Sequence, residues 1–155
     1  MRISTASGDF VELLVNGYEF PAASDDDDDD DDDDWDANWL VVSGDVRWLG
    51  ESWSFSHPML TTWDARALLA WLRDDPTHRA PSIEFTEPNL AFAVIPVTDG
   101  AAELVLTLSG EAAPPSLPES ERWEGGRRLS FHLSPEVLVR SAEEWERDIT
   151  AYPPR

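Results

Sequence analysis

Residues 38–57 read NWLVVSGDVRWLGESWSFSH, and the fold class turns on this stretch. Leu40, Val42, Val46 and Trp48 recur at period two, the spacing that puts side chains on one face of a strand, with Gly44 between them. From Glu51 to His57 the alternation is cleaner: Trp53 and Phe55 point one way, Ser52, Ser54 and Ser56 the other. The link Leu49-Gly50 is short enough for a hairpin turn. Two neighbouring strands with one apolar and one polar face each predict an antiparallel sheet buried on one side.

Similar patterns extend outward from this hairpin. Upstream, FVELLVNGYEF (residues 10–20) reads as a strand with a turn signal at Asn16-Gly17. Downstream, LTTWDARALLAWLRDDP (60–76) predicts a helix. Thr61 and Asp64 form a capping-box pattern, Trp63, Ala67, Leu68, Trp71 and Leu72 make an apolar face, and Pro76 stops the chain from continuing. SIEFTEPNLAFAVIPV (82–97) breaks at Pro88-Asn89 between two apolar alternations. AELVLTLSGE (102–111) aligns Leu104, Leu106 and Leu108, and RRLSFHLSP (127–135) aligns Leu129, Phe131 and Leu133. Ser134 and Pro135 then open a second helix with a stripe of Leu138, Ala142, Trp145 and Ile149. Glu136/Arg140 and Glu143/Arg147 on it are i,i+4 pairs in the favourable order. The expected class is α+β: a mainly antiparallel β-sheet of about six strands with two amphipathic helices packed on one face. One domain spans 1–155, interrupted by an acidic loop over 21–37 between strands and a Pro/Glu-rich loop over 111–126.

Composition narrows the function classes. The 155 residues carry 32 acidic and 11 basic side chains, a net charge of −21. Ten of those acids are consecutive: Asp25, Asp26, Asp27, Asp28, Asp29, Asp30, Asp31, Asp32, Asp33 and Asp34. Without them 22 acids still oppose 11 bases, so the remaining chain is acidic on its own account. This charge repels nucleic acid and anionic membranes and steers basic proteins inward. No direct nucleic-acid or membrane partner is expected. There are no cysteines, which excludes disulfides, thiolate metal sites and a cysteine nucleophile. No stretch approaches the ~18 apolar residues of a membrane span, and the N-terminus has no signal-peptide pattern. A cytoplasmic protein is the expectation.

Little in the sequence points to catalysis. His57, His78 and His132 are scattered, without the i,i+4 spacing of a helical metal site. Nucleophile-elbow and glycine-rich phosphate motifs are missing. We therefore expect no catalytic, metal or cofactor-binding residues. A hydrolase built on His57 or His132 would need the two to meet in a concave pocket. The aspartate run lacks the spaced ligands, glycine and closing glutamate of a calcium loop. Its mutual repulsion predicts a solvated, extended segment that could reach roughly 35 Å.

Of eight tryptophans, Trp48, Trp53, Trp63, Trp71 and Trp145 fall in phase with apolar positions and are expected in the core. Trp35 and Trp123 lie in loops beside acids, where an aromatic ring can anchor an interface. The candidate partner-binding set is thus the run Asp25–Asp34 with Trp35, Asp36 and Trp123.

The segments DANWLVVSGDVRW, SWSFSHPMLTTWDARALLAWL, IEFTEPNLAF and LSFHLSPEVLVRSAEEWERDITAYPP occur in this order between Phe10 and Pro154. In them the chain resembles the WapI family of bacterial immunity proteins, from whose pattern the aspartate run departs. The resemblance implies a cytoplasmic antitoxin without enzymatic activity. Such a protein binds the toxic C-terminal domain of a secreted polymorphic toxin, often a nuclease, and blocks it in the producing cell. The alternative is an intracellular protein-binding or regulatory module with no toxin partner.

Overall fold

The computed structural model describes residues 1–20, 35–74, 79–96 and 102–155. Within them the chain forms β1 (Arg2–Ser4), β2 (Phe10–Tyr18), β3 (Trp39–Trp48), β4 (Glu51–Thr61), α1 (Thr62–Arg73), β5 (Ser82–Glu84), β6 (Leu90–Pro96), β7 (Ala102–Leu108), α2 (Glu119–Glu124), β8 (Arg127–Leu133) and α3 (Pro135–Thr150). The class is α+β, as expected. The strands divide into two four-stranded sheets, β1-β2-β3-β4 and β5-β6-β7-β8, with every pairing antiparallel. The expected count was about six strands in one sheet. The strand without a signal in the sequence is β1, only three residues long; the first alternation of 82–97 forms the short β5, paired with β6.

The hairpin that announced the fold forms as read. Val42 pairs with His57 and Val46 with Trp53 across β3 and β4. Its two-residue turn uses φ of 50° at Leu49 and 85° at Gly50, both left-handed, the combination that matches strand twist. Gly44 lets Phe55 lie across β3: a Cβ at position 44 would come 2.1 Å from the ring's Cζ. Asn16-Gly17 is not a turn. β2 runs through it with a register shift between Val15 and Gly17, and Tyr18 still pairs with Leu40. Asn16 is the extra residue, accommodated as a bulge in β2 itself.

One core joins both sheets and two helices. Ile3, Val11, Leu13, Leu40 and Val42 face it from the first sheet, Leu90, Phe92, Leu104, Leu106, Leu129 and Phe131 from the second. Leu68, Trp71 and Leu72 of α1 and Leu138, Ala142, Trp145 and Ile149 of α3 complete it. Tryptophans stitch the layers. Trp48 packs on Phe131 at 5.2 Å between ring centroids, and Trp71 on Phe92 at 6.3 Å. The indole N–H of Trp145 donates to the Ala65 carbonyl (2.8 Å), fixing α3 to α1. That of Trp53 donates to the Ala112 carbonyl (2.9 Å). Each buried indole thus satisfies its only polar atom.

The helix starts follow the sequence with one variation. Thr61 accepts from the Asp64 N–H while the Asp64 carboxylate accepts from the Thr61 N–H, the reciprocal capping box. Ser134 stands at the N-cap of α3, but its side chain caps no backbone N–H. Hydrogen bonds from Ser134 and from its own backbone N–H instead hold the Glu136 carboxyl below the usual carboxylate range. Later in α3, Arg147 donates its Nε–H to the Glu143 backbone carbonyl (3.3 Å). The Pro/Glu-rich segment is ordered rather than open loop: it holds a 3-10 turn at Gly110–Ala112 and the six-residue α2.

Candidate partner-binding surface

Trp35 precedes a 3-10 turn, Asp36–Asn38, whose closing N–H at Asn38 donates to the Trp35 carbonyl (3.1 Å). Asn38 is buried and its amide is spread over three groups. Its Oδ1 accepts from the Thr62 hydroxyl (3.0 Å) and the Arg155 N–H (2.9 Å), and its Nδ2 donates to the Arg155 carbonyl (3.1 Å). This amide locks the entry to β3, the start of α1 and the chain near Arg155 into one unit. The Arg155 guanidinium covers Tyr18 at 3.4 Å from the ring centroid and donates to the Phe20 carbonyl (3.0 Å). The Tyr18 hydroxyl in turn donates to the Pro153 carbonyl.

On this base the Trp35 ring stacks on Trp63, with centroids 4.9 Å apart and planes inclined by 22°. Both rings stay open to solvent, at 47% for Trp35 and 42% for Trp63. Trp63 therefore corrects a sequence expectation, which placed it in the core. In the first turn of α1 the inward position belongs to Thr62, held by Asn38, and the buried face continues through Ala65, Leu68, Trp71 and Leu72. Trp63 and Ala67 lie on the exposed side. A signal was present: the residues four and seven positions beyond Trp63 are Ala67 and Ala70, too small to continue a core stripe begun by an indole.

The remaining candidates lie elsewhere. Asp36 is exposed beside Trp35. Trp123, 49% exposed, sits in α2 with its ring edge over Gly110, where a Cβ would meet it at 2.7 Å. The neighbouring Arg122 grips the Gly110 carbonyl through Nε (3.1 Å) and Nη2 (2.9 Å). Nearby residues of that region contact the start of β4: Glu51 accepts from Ser116 and from Arg127. Trp35, by contrast, adjoins the start of β3 and the end of β4. Trp35 and Trp123 thus stand at opposite ends of a hairpin whose strands run roughly 30 Å. Asp25–Asp34, Pro76 and His78 lie outside the described residues.

His57 on β4 and His132 on β8 are exposed and belong to different sheets. A groove of about 450 Å³ runs between the outer face of the first sheet and α3. Arg2, Glu12, Asp45, Glu144, Arg147 and Asp148 supply its charges, and neither histidine lines it. Arg2 is already engaged there, paired with Glu12 at 2.9 Å and lying 3.8 Å over Phe10.

Fold and surface together define a small acidic α+β protein whose largest exposed aromatic feature is a stacked tryptophan pair. The chain matches the immunity protein WapI-like family over residues 2–153, and it belongs to that family. The match takes in β1, upstream of the segments that carried the resemblance. No curated protein and no solved structure matches the chain. Among the described residues no helix is long and apolar enough to cross a membrane.

Proposed function

We propose that this chain is the immunity partner of a secreted polymorphic toxin. It binds the toxin's C-terminal toxic domain one to one in the cytoplasm of the producing cell and neutralises it by occlusion, without chemistry. The observation that carries this reading is membership of an immunity protein family across residues 2–153. The charge of −21 supports a basic target. A nuclease that grips phosphate is basic at its active site, and an acidic inhibitor is steered onto it by long-range attraction. In this reading Asp25–Asp34 and Asp36 supply the steering field, and Trp35 and Trp123 are the candidate anchors.

Co-expression tests the proposal. The toxic domain encoded beside this gene is induced in cells with and without the chain. Rescue of growth, together with a one-to-one complex on size exclusion, is the expected result. If cells die equally in both cases and no complex forms, the chain is not that toxin's immunity protein.

A further inference from the structure

We infer that the Trp35–Trp63 pair is the central anchor of the toxin interface and that it receives an arginine side chain from a basic loop of the toxin. The inference rests on the toxin-binding reading and adds the anchor's place and the chemistry of its occupant.

Three observations carry it. The first is location and sign: Trp35 follows directly on Asp34, the last of ten consecutive aspartates, and Asp36 stands exposed beside it. A cationic group drawn in by this charge arrives at the tryptophans. The second is how the chain treats its other aromatic faces. Arg2 lies 3.8 Å from the Phe10 ring centroid, Arg155 3.4 Å from Tyr18 and Arg79 5.4 Å from Trp71. Among the described residues, which include all eleven arginines, none lies over Trp35 or Trp63. The pair therefore keeps open indole faces, the best aromatic surface for a guanidinium. The third is rigidity. Trp63 rides on the capped first turn of α1, Trp35 on the 3-10 turn fixed through Asn38, and the two rings immobilise each other. An aromatic ordered before binding loses little entropy on binding, which is what distinguishes an energetic anchor from passive contact area. Arginine fits better than lysine because its planar guanidinium stacks on the ring while its N–H groups remain free for carboxylates such as Asp36.

The test separates cation recognition from apolar contact and from loss of fold. Two double variants, W35F/W63F and W35L/W63L, are titrated against the purified toxic domain encoded beside the gene, with association and dissociation rates measured. Both substitutions are at exposed rings, and unchanged melting temperatures confirm intact folds. The Phe pair keeps a π face and is expected to bind within about threefold of wild type. The Leu pair keeps apolar area without a π face and is expected to bind roughly 10- to 30-fold more weakly. Its loss should lie in the dissociation rate and persist at 0.5 M salt, since salt screens steering rather than a desolvated stack. If the Leu pair binds like wild type, the pair is not in the interface. If Phe and Leu pairs lose affinity alike, no cation is being recognised. Either result overturns this inference and leaves the proposed function standing. Failure of the wild-type chain to bind overturns both.

Discussion

A single methyl group at position 44 would collide with the Phe55 ring at 2.1 Å, and Phe55 is itself buried, with little room to withdraw. Overpacking of this kind costs roughly 1–3 kcal/mol. We expect Gly44→Ala to destabilise the protein by that amount in urea denaturation. The cost should shrink by about 1 kcal/mol or more when measured in a Phe55→Leu background, because the clash and the ring form one coupled unit. Equal costs in both backgrounds would mean that strand entropy, not the ring, explains the glycine. Five residues on, Leu49 shows the opposite situation. It is a leucine held at φ 50° with 78% of its surface exposed. An L-residue in the left-handed region is strained by about 1 kcal/mol, and asparagine tolerates that conformation better. Leu49→Asn should therefore raise stability by roughly 0.5–1 kcal/mol, read as a rise in melting temperature. A fall would show that Leu49 makes a contact worth more than its backbone strain.

At the scale of elements, the weak point is the junction held by Asn38 rather than any one helix or strand. Its side chain serves Thr62 at the start of α1 and both backbone groups of Arg155. Replacing it with alanine strands several buried or half-buried polar groups, each worth roughly 1–3 kcal/mol if left unsatisfied. Asn38→Ala should cost about 2 kcal/mol or more. It should also speed hydrogen exchange in the first turn of α1 and at the start of β3 ahead of the second sheet. Uniform exchange changes across both sheets would contradict the role of a local clamp. The junction was not legible in the sequence, because Asn38 and Arg155 are 117 residues apart and nothing in local periodicity links them. What was legible has a local cause. The alternation in Trp39–Trp48 and Glu51–Thr61 encodes the hairpin, Thr61 with Asp64 encodes the cap, and the stripe from Leu138 to Ile149 encodes the buried face of α3. The candidate site was half legible for the same reason. Trp35 stands out among acids, whereas Trp63 mimics a core position at helical spacing; the small Ala67 and Ala70 hint otherwise, and the inward turn of Thr62 fixes its direction. The division into two sheets likewise escaped reading, since pairing between strands is a long-range choice that one strand's alternation does not encode.

At the scale of the whole molecule, ten of the acidic charges are gathered in one run of sequence, Asp25–Asp34. Among the described residues the core draws on strands and helices from Ile3 to Ile149. Removing Asp25–Asp34 halves the net charge, from −21 to −11. Like charges in sequence raise the free energy of a compact state through self-repulsion. A chain lacking Asp25–Asp34 should thus melt no lower than the parent in thermal denaturation. A drop of several degrees would mean that the run takes part in the fold. Binding should respond differently. Steering acts over the Debye length, about 8 Å at physiological ionic strength and about 30 Å at 0.01 M. Deletion should lower the association rate with the basic toxic domain by roughly tenfold or more at low salt, and the two rates should converge near 0.5 M. With the complex anchored on Trp35 and Trp63 as proposed, dissociation should barely change, because diffuse charge contributes mainly to encounter. The converse pattern, a faster dissociation with an unchanged association rate, would place the aspartates inside the contact itself and recast them as ligands of the partner.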